Sequence, residues 1–261
     1  MAATDAGKFA VSRSPYGNYC VNRSEERNYL LPFTNMPNFN KITHVIYDLD
    51  GLLLGTETLN AQVNEEIVSG YGKTFNNKVK SKVNGRSAIN SAEIIVEMLE
   101  IPLTSEEYLE QRNARINQLY CQAKPLSGAV RLTKHLHQHQ IPQAVATSSI
   151  RRTFELKTNN YQEWFDLFDC IVLGDDPALD KSKPAPDIFL IAAQRLQASP
   201  EQCLVFEDSL AGMEAALAAG MSVVVVPDPD LDKQLYWRAH QVLNSLTEFE
   251  PQLWQLPTYA D

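Results

Sequence analysis

The sequence predicts an α/β protein: a Rossmann-like, doubly wound parallel-sheet core with an inserted small α-helical cap domain. Three observations predict it. Short, continuous, β-branched apolar runs recur along the chain, which suits strands buried on both faces. Amphipathic segments lie between them. Residues 58–123, between the first two runs, are helix-like throughout and far exceed what one crossover needs.

The first run is HVIYD (44–48), followed by QAVATSS (143–149), CIVLGDD (170–176), CLVFEDS (203–209) and MSVVVVPD (221–228). SGAVRLTKHLHQHQ precedes the second run, DIFLIAAQRLQ precedes the fourth, and AGMEAALAAG separates the fourth from the fifth. No GxGxxG follows the first run, which argues against a dinucleotide-binding variant. Within the insertion, three helices are expected from TLNAQVNEEIVSGYG, SAINSAEIIVEMLE and SEEYLEQRNARINQLY. Glu106 and Glu107, after Ser105, suit the first turn of the last one. The expected domains are therefore an N-terminal extension (1–40), a core (41–57 and 124–261) and a cap (58–123). The hinges fall near 55–58 and 124–128.

The extension is polar and lacks the apolar centre of a secretory signal. Arg13, Arg23 and Arg27 invite an organelle-transit reading, which Asp5, Glu25 and Glu26 oppose; a disordered or loosely docked tail is expected. A net charge of −9 over 261 residues argues against a nucleic-acid polymer or an anionic membrane as partner. Cys20, Cys121, Cys170 and Cys203 form no CxxC or zinc spacing, so a reducing, cytoplasmic setting is expected.

Ligands of parallel sheets bind beyond the carboxyl ends of the strands. Three runs end in groups suited to one reaction: Asp48 and Asp50, then Thr147-Ser148-Ser149, then Glu207-Asp208; Lys183 follows the third run, in KPAPD. Asp48 and Asp50 are spaced by two, so an extended chain sends both side chains off one face. One carboxylate can attack phosphorus and the other can move protons. Four carboxylates would repel one another without a cation, and Mg²⁺, a hard oxygen-seeking ion, answers that need. Thr147 and Ser148 offer donors to a phosphate, and Lys183 a positive charge. Each signal alone is weak, since strand-end aspartates and Thr-Ser pairs usually serve turns and caps. Together, and in this order, they point to phosphoryl transfer.

DLDGLLLGTE, ATSS, KPAPDIF and VFEDS resemble the four ordered motifs of the haloacid-dehalogenase-like phosphatases, over roughly residues 41–261. Within that superfamily DGLLLxTE, IVLGDDP, CLVFEDS, AALAAGM, VVVPD and VLNSLTEFEPQLWQLP resemble the pseudouridine-5′-phosphatase branch. The resemblance implies Asp48 as nucleophile, Asp50 as acid/base, Thr147 and Ser148 as phosphate donors, and Lys183 as stabiliser of phosphate and nucleophile. It implies Mg²⁺ on Asp48, the Asp50 carbonyl and Asp208, with Glu207 close by. The expected partner is a small nucleotide-like or sugar monophosphate, acted on by a monomer. A phosphomutase of the same fold and a catalytically weakened binding protein are the competing readings.

Arg86, in VNGRS, reads either as a cap side chain over the substrate or as a surface turn. Glu57 and Asn60 are candidates to face the site. Asp175-Asp176 read as a turn, and His135, His137 and His139 as a solvated row. The chain departs from the family pattern at Gly55 (usually Asp), Ser182 (usually Gly) and Ser127 (usually Pro). Gly55 removes a side chain able to tie the hinge turn, so a less tightly closing cap is expected.

Overall fold

The computed structural model describes residues 9–14, 17–22 and 41–259. Within the extension, β1 (Phe9–Ser14) and β2 (Gly17–Asn22) pair antiparallel as a unit of their own. The rest of the expected tail lies outside the described residues.

The core sheet contains β3 (His44–Tyr47), β4 (Gln143–Ala146), β5 (Cys170–Val172), β6 (Cys203–Glu207), β7 (Ser222–Val225) and β8 (Gln241–Val242). Its order is β5-β4-β3-β6-β7-β8, and every pairing is parallel. The sequence reading found five of these strands; β8 has two residues and too little pattern to be seen. Alternation along the strands divides the core. Val45, Tyr47, Leu204 and Phe206 pack on one face with Leu132, Leu136 and Trp254. Ile46, Ala144, Val205 and Val223 pack on the other with Phe189, Ala192 and Met213. Helices α5 (Ala129–Gln138), α6 (Arg151–Thr158), α7 (Gln162–Phe165), α8 (Asp187–Arg195) and α9 (Leu210–Ala218) connect the strands. With β3 central and its neighbours reached in opposite directions, the strand order reverses at the carboxyl end of β3.

The insertion contains α1 (Glu57–Ser69), α2 (Asn77–Val83), α3 (Ala88–Leu99) and α4 (Ser105–Ile116). The sequence reading missed α2, whose lysine-rich stretch has only two apolar residues, Val79 and Val83. Val68, Ile95, Ile101 and Tyr108 complete a small core of the cap's own. Helix α4 starts one residue earlier than its acidic first turn suggests, because Thr104 is the N-cap. Thr104 Oγ1 accepts from Glu107 N at 3.1 Å, and Glu107 Oε2 accepts from Thr104 N at 2.8 Å. The two hinge segments run side by side: Gly55 N donates to Lys124 O at 2.8 Å and Leu126 N to Leu53 O at 2.9 Å. Among the described residues no helix is long and apolar enough to cross a membrane.

His135 corrects the expectation of a solvated histidine row. It is 8% exposed, its Nε2 lies 2.8 Å from Pro257 O, and its ring packs on Tyr259 and His139. It fastens the C-terminal segment to α5. The acidic pair sits in a turn, as expected: Asp176 N donates to Leu173 O at 3.0 Å and Asp176 Oδ1 accepts from Ala178 N at 3.0 Å. Beyond the turn, Asp175 accepts from Arg151 N at 3.0 Å, and Asp176 forms a two-bond pair with Arg195 at 2.7 and 2.9 Å.

Candidate active site

Asp48 and Asp50 leave the end of β3 in a loop that turns at Gly51. Gly51 has φ +81°, and a Cβ there would stand 2.2 Å from Asp208 Oδ2, so only glycine admits this approach. The turn thereby brings the DLDG loop against the end of β6.

Lys183 reaches the site from the loop before α8 and is 1% exposed. Its ammonium lies 2.5 Å from Asp48 Oδ1 and 2.6 Å from Glu207 Oε1, and also donates to Ala146 O at 3.2 Å. Those two carboxylates push the lysine's pKa up although burial opposes it. Burial pushes the Asp48 carboxyl up to about 7, against the pull of Lys183. Glu207 accepts from Lys183 on Oε1 and, on Oε2, from Asp208 N and Ser209 N at 3.0 Å and Ser209 Oγ at 2.8 Å. It thus ties the start of α9 to the lysine.

Asp50 is held differently. Its Oδ1 accepts from Thr56 Oγ1 at 2.7 Å and Lys157 Nζ at 2.6 Å; its Oδ2 accepts from Ser149 Oγ at 2.8 Å and lies 3.4 Å from Thr147 Oγ1. Burial would raise this carboxyl, but the Lys157 charge and these bonds outweigh it and hold it below the usual range. Asp208 accepts from the cap's Asn84 Nδ2 at 3.0 Å, while its Oδ1 is buried with no partner. Burial, with Glu207 close by, drives the Asp208 carboxyl well up.

Asp48, Asp50, Glu57, Asn60, Arg86, Thr147, Ser148 and Lys157 border one cavity of about 430 Å³ between core and cap. That volume suits a small-molecule ligand. The structure thus brings Asp48, Asp50, Thr147, Lys183, Glu207 and Asp208 to one place. Ser148 turns its hydroxyl to the cap, donating to Gly85 O at 3.1 Å. Arg86 has features of both its readings: Nε donates to Lys82 O at 2.8 Å within the turn, and the side chain borders the cavity. Glu57 faces the site, its carboxyl raised to about 6 by burial and by Asp50.

Four contributors escaped the sequence reading: Lys157, Thr56, Ser149 and Asn84. Thr56, Asn84 and Ser149 lie in stretches already marked but without a role assigned to them, and Lys157 carries no local signal. Core and cap also meet through Lys80 and Asp228 at 2.7 Å and through Asn90 Nδ2 and Ser182 Oγ at 3.2 Å. Ser182, one of the departures from the family pattern, therefore adds a tie that a glycine side chain could not make.

The unpartnered Oδ1 of Asp208 beside the raised carboxyl of Asp48 fits a divalent cation. Among the described residues no group of three or more acidic, imidazole or thiol side chains is arranged to hold a metal ion by itself. Two carboxylates, a backbone carbonyl and water are an ordinary donor set for Mg²⁺, which keeps several waters.

A model of the haloacid dehalogenase-like hydrolase family matches residues 45–226. The chain is 43% identical over 225 residues to the mitochondrial (DL)-glycerol-3-phosphatase 1 of Arabidopsis thaliana, covering 84% of this chain and 76% of the relative. It is 44% identical over 224 residues to a probable pseudouridine-5′-phosphatase of Drosophila melanogaster, covering 85% and 97%. Among solved structures, a β-phosphoglucomutase of Clostridium difficile superposes with a TM-score of 0.69 at 23% identity, covering 82% of this chain and 96% of that one. At that identity the likeness speaks for the fold alone.

Proposed function

The chain belongs to the haloacid dehalogenase-like hydrolase family and stands among its phosphatases, and from that premise we propose that it is a Mg²⁺-dependent phosphomonoesterase working through an aspartyl-phosphate. The observation that carries the reading is the buried Lys183 at 2.5 Å from Asp48 Oδ1. The lysine occupies that oxygen and leaves the other to attack phosphorus, while its charge faces the phosphoryl oxygens. As the Asp48–phosphorus bond forms, the bond to the leaving oxygen breaks, and that oxygen takes a proton from Asp50. In this reading Asp50 takes that proton up when the substrate binds, since Lys157 and its hydrogen bonds hold it as a carboxylate in the free protein. Asp50, now a carboxylate, then takes a proton from water as the water oxygen attacks phosphorus and releases Asp48. Asp48, Asp208 and the Asp50 carbonyl would hold Mg²⁺, which supplies charge neutralisation for the phosphate.

The substrate in this reading is a small polyol or nucleotide-like monophosphate. The cavity of about 430 Å³ has room for either, and the names of the relatives include both classes. A cytoplasmic monomer acting on a phosphorylated metabolite is part of the same proposal.

The test is release of inorganic phosphate from glycerol 3-phosphate, pseudouridine 5′-phosphate, flavin mononucleotide and a hexose 1-phosphate, with Mg²⁺ and with EDTA. Release that EDTA stops and Asp48→Asn abolishes supports the proposal. No release from any of them at high enzyme concentration overturns it, and isomer formation without release would assign a mutase.

A further inference from the structure

Lys157 comes from α6 and matches none of the motifs above, yet its side chain is 3% exposed and its ammonium sits beside Asp50. It donates to Asp50 Oδ1 at 2.6 Å and to Ser149 Oγ at 2.7 Å, and the ring of Tyr120 lies 4.3 Å from the charge. A buried ammonium costs several kcal/mol unless it is paired, so this placement needs Asp50. Asp50 needs it in turn. Lys157 and Thr56 occupy Oδ1, whereas Oδ2 takes one good bond from Ser149 and only a long contact, 3.4 Å, from Thr147. Each carboxylate oxygen can accept about two hydrogen bonds, so Oδ2 is the oxygen with room for a further donor. It is also the one turned toward Thr147, on the side where the phosphate is expected.

We propose that Lys157 is a positioning residue for the second half of the reaction: with Ser149 and Tyr120 it fixes the Asp50 carboxylate so that Oδ2 takes the proton of the water that attacks the phosphorylated Asp48. The water proton passes to Asp50 as the water oxygen bonds to phosphorus, and the electron pair of the cleaved bond returns to Asp48. This rests on the reading of Asp50 as acid/base and assigns it a fixed support.

The test uses p-nitrophenyl phosphate, whose leaving group departs without a proton, so that the first transfer is insensitive to Asp50. In Lys157→Met the second step slows alone. The expected result is a kcat lower by about 10-fold or more, with kcat/KM within roughly 3-fold of the parent. Stopped-flow should also show a burst of p-nitrophenol approaching one equivalent per active site. The burst counts folded sites, so loss of folded protein is separated from slow chemistry. If Lys157→Met does not accumulate as soluble protein, Lys157→Gln, which keeps a donor for Ser149, carries the same test. Equal falls in kcat and kcat/KM without a burst, or no fall at all, would overturn the proposal. Asp50→Asn is the control: unchanged turnover there would refute the acid/base reading itself, whatever Lys157 does.

Discussion

Glu207 Oε1 and Lys183 Nζ stand 2.6 Å apart with both side chains fully buried, and this pair delivers the lysine to Asp48. Glu207 is therefore less a free acidic group at the strand end than the anchor of a charge. Removing one partner of such a pair leaves the other unmatched in a low-dielectric interior. Glu207→Ala should lower stability by about 3–5 kcal/mol, read by urea unfolding, and should cut turnover. A loss below about 1 kcal/mol would show that the pair behaves like an exposed one.

Gly85 is a point where the cap packs closely on the core. It has φ +75°, and a Cβ there would lie 2.0 Å from Ser209 Oγ. Gly85→Ala should hold the cap off its seat at a cost of about 1–3 kcal/mol. The KM for the best monophosphate of the panel should rise about 10-fold or more, while the melting temperature of the core moves little. An unchanged KM would place the cap's closure elsewhere.

Gly55 offers a second test of the hinge. Its φ is unremarkable, and a Cβ would stand 3.3 Å from Leu126 Cδ2 and 3.6 Å from Lys124 O, tight but open to a small adjustment. Gly55→Asp should therefore fold, tie the turn and sharpen the ranking of substrates, leaving turnover of p-nitrophenyl phosphate within about 2-fold. If both turnover and ranking stay as they were, Gly55 has no bearing on cap closure.

The Asp48 carboxyl, raised by burial to about 7 from 3.8, gives a sign for pH. A carboxyl with a raised folded pKa keeps its proton in the folded protein, so its contribution to the stability of the metal-free chain is present below pH 3.8 and is lost as pH rises toward about 7. The same proton competes with a cation for the carboxylate. Mg²⁺ should therefore raise the melting temperature more at pH 8 than at pH 6, as read by differential scanning fluorimetry. A larger rise at pH 6 would contradict the assignment of Asp48 as a ligand.

Much of this molecule can be read along the chain, and the unread parts have common physical reasons. The strands β3 to β7 announce themselves because a doubly covered sheet demands continuous β-branched runs. Helix α2 and strand β8 do not, since a helix with two buried valines and a strand of two residues hold no period to detect. Helix α6 hides for a related reason: its buried Phe154, Lys157 and Thr158 include a single apolar side chain. His135 looked solvated because nothing near it in the chain tells that Pro257 and Tyr259 return to cover it.

The sequence by itself determined the order of the chemistry: carboxylates after the first core strand, hydroxyls after the second, a lysine after the third and an acidic pair after the fourth. A parallel sheet places all those strand ends on one side, so order along the chain becomes proximity in space. Tertiary structure alone decided which charge pairs with which. Lys183 goes to Asp48 and Glu207, and Lys157, 107 positions from Asp50, goes to the other aspartate. An ammonium gains such a partner only where burial strips its water and packing brings a carboxylate within about 3 Å. Neither condition leaves a mark in local spacing.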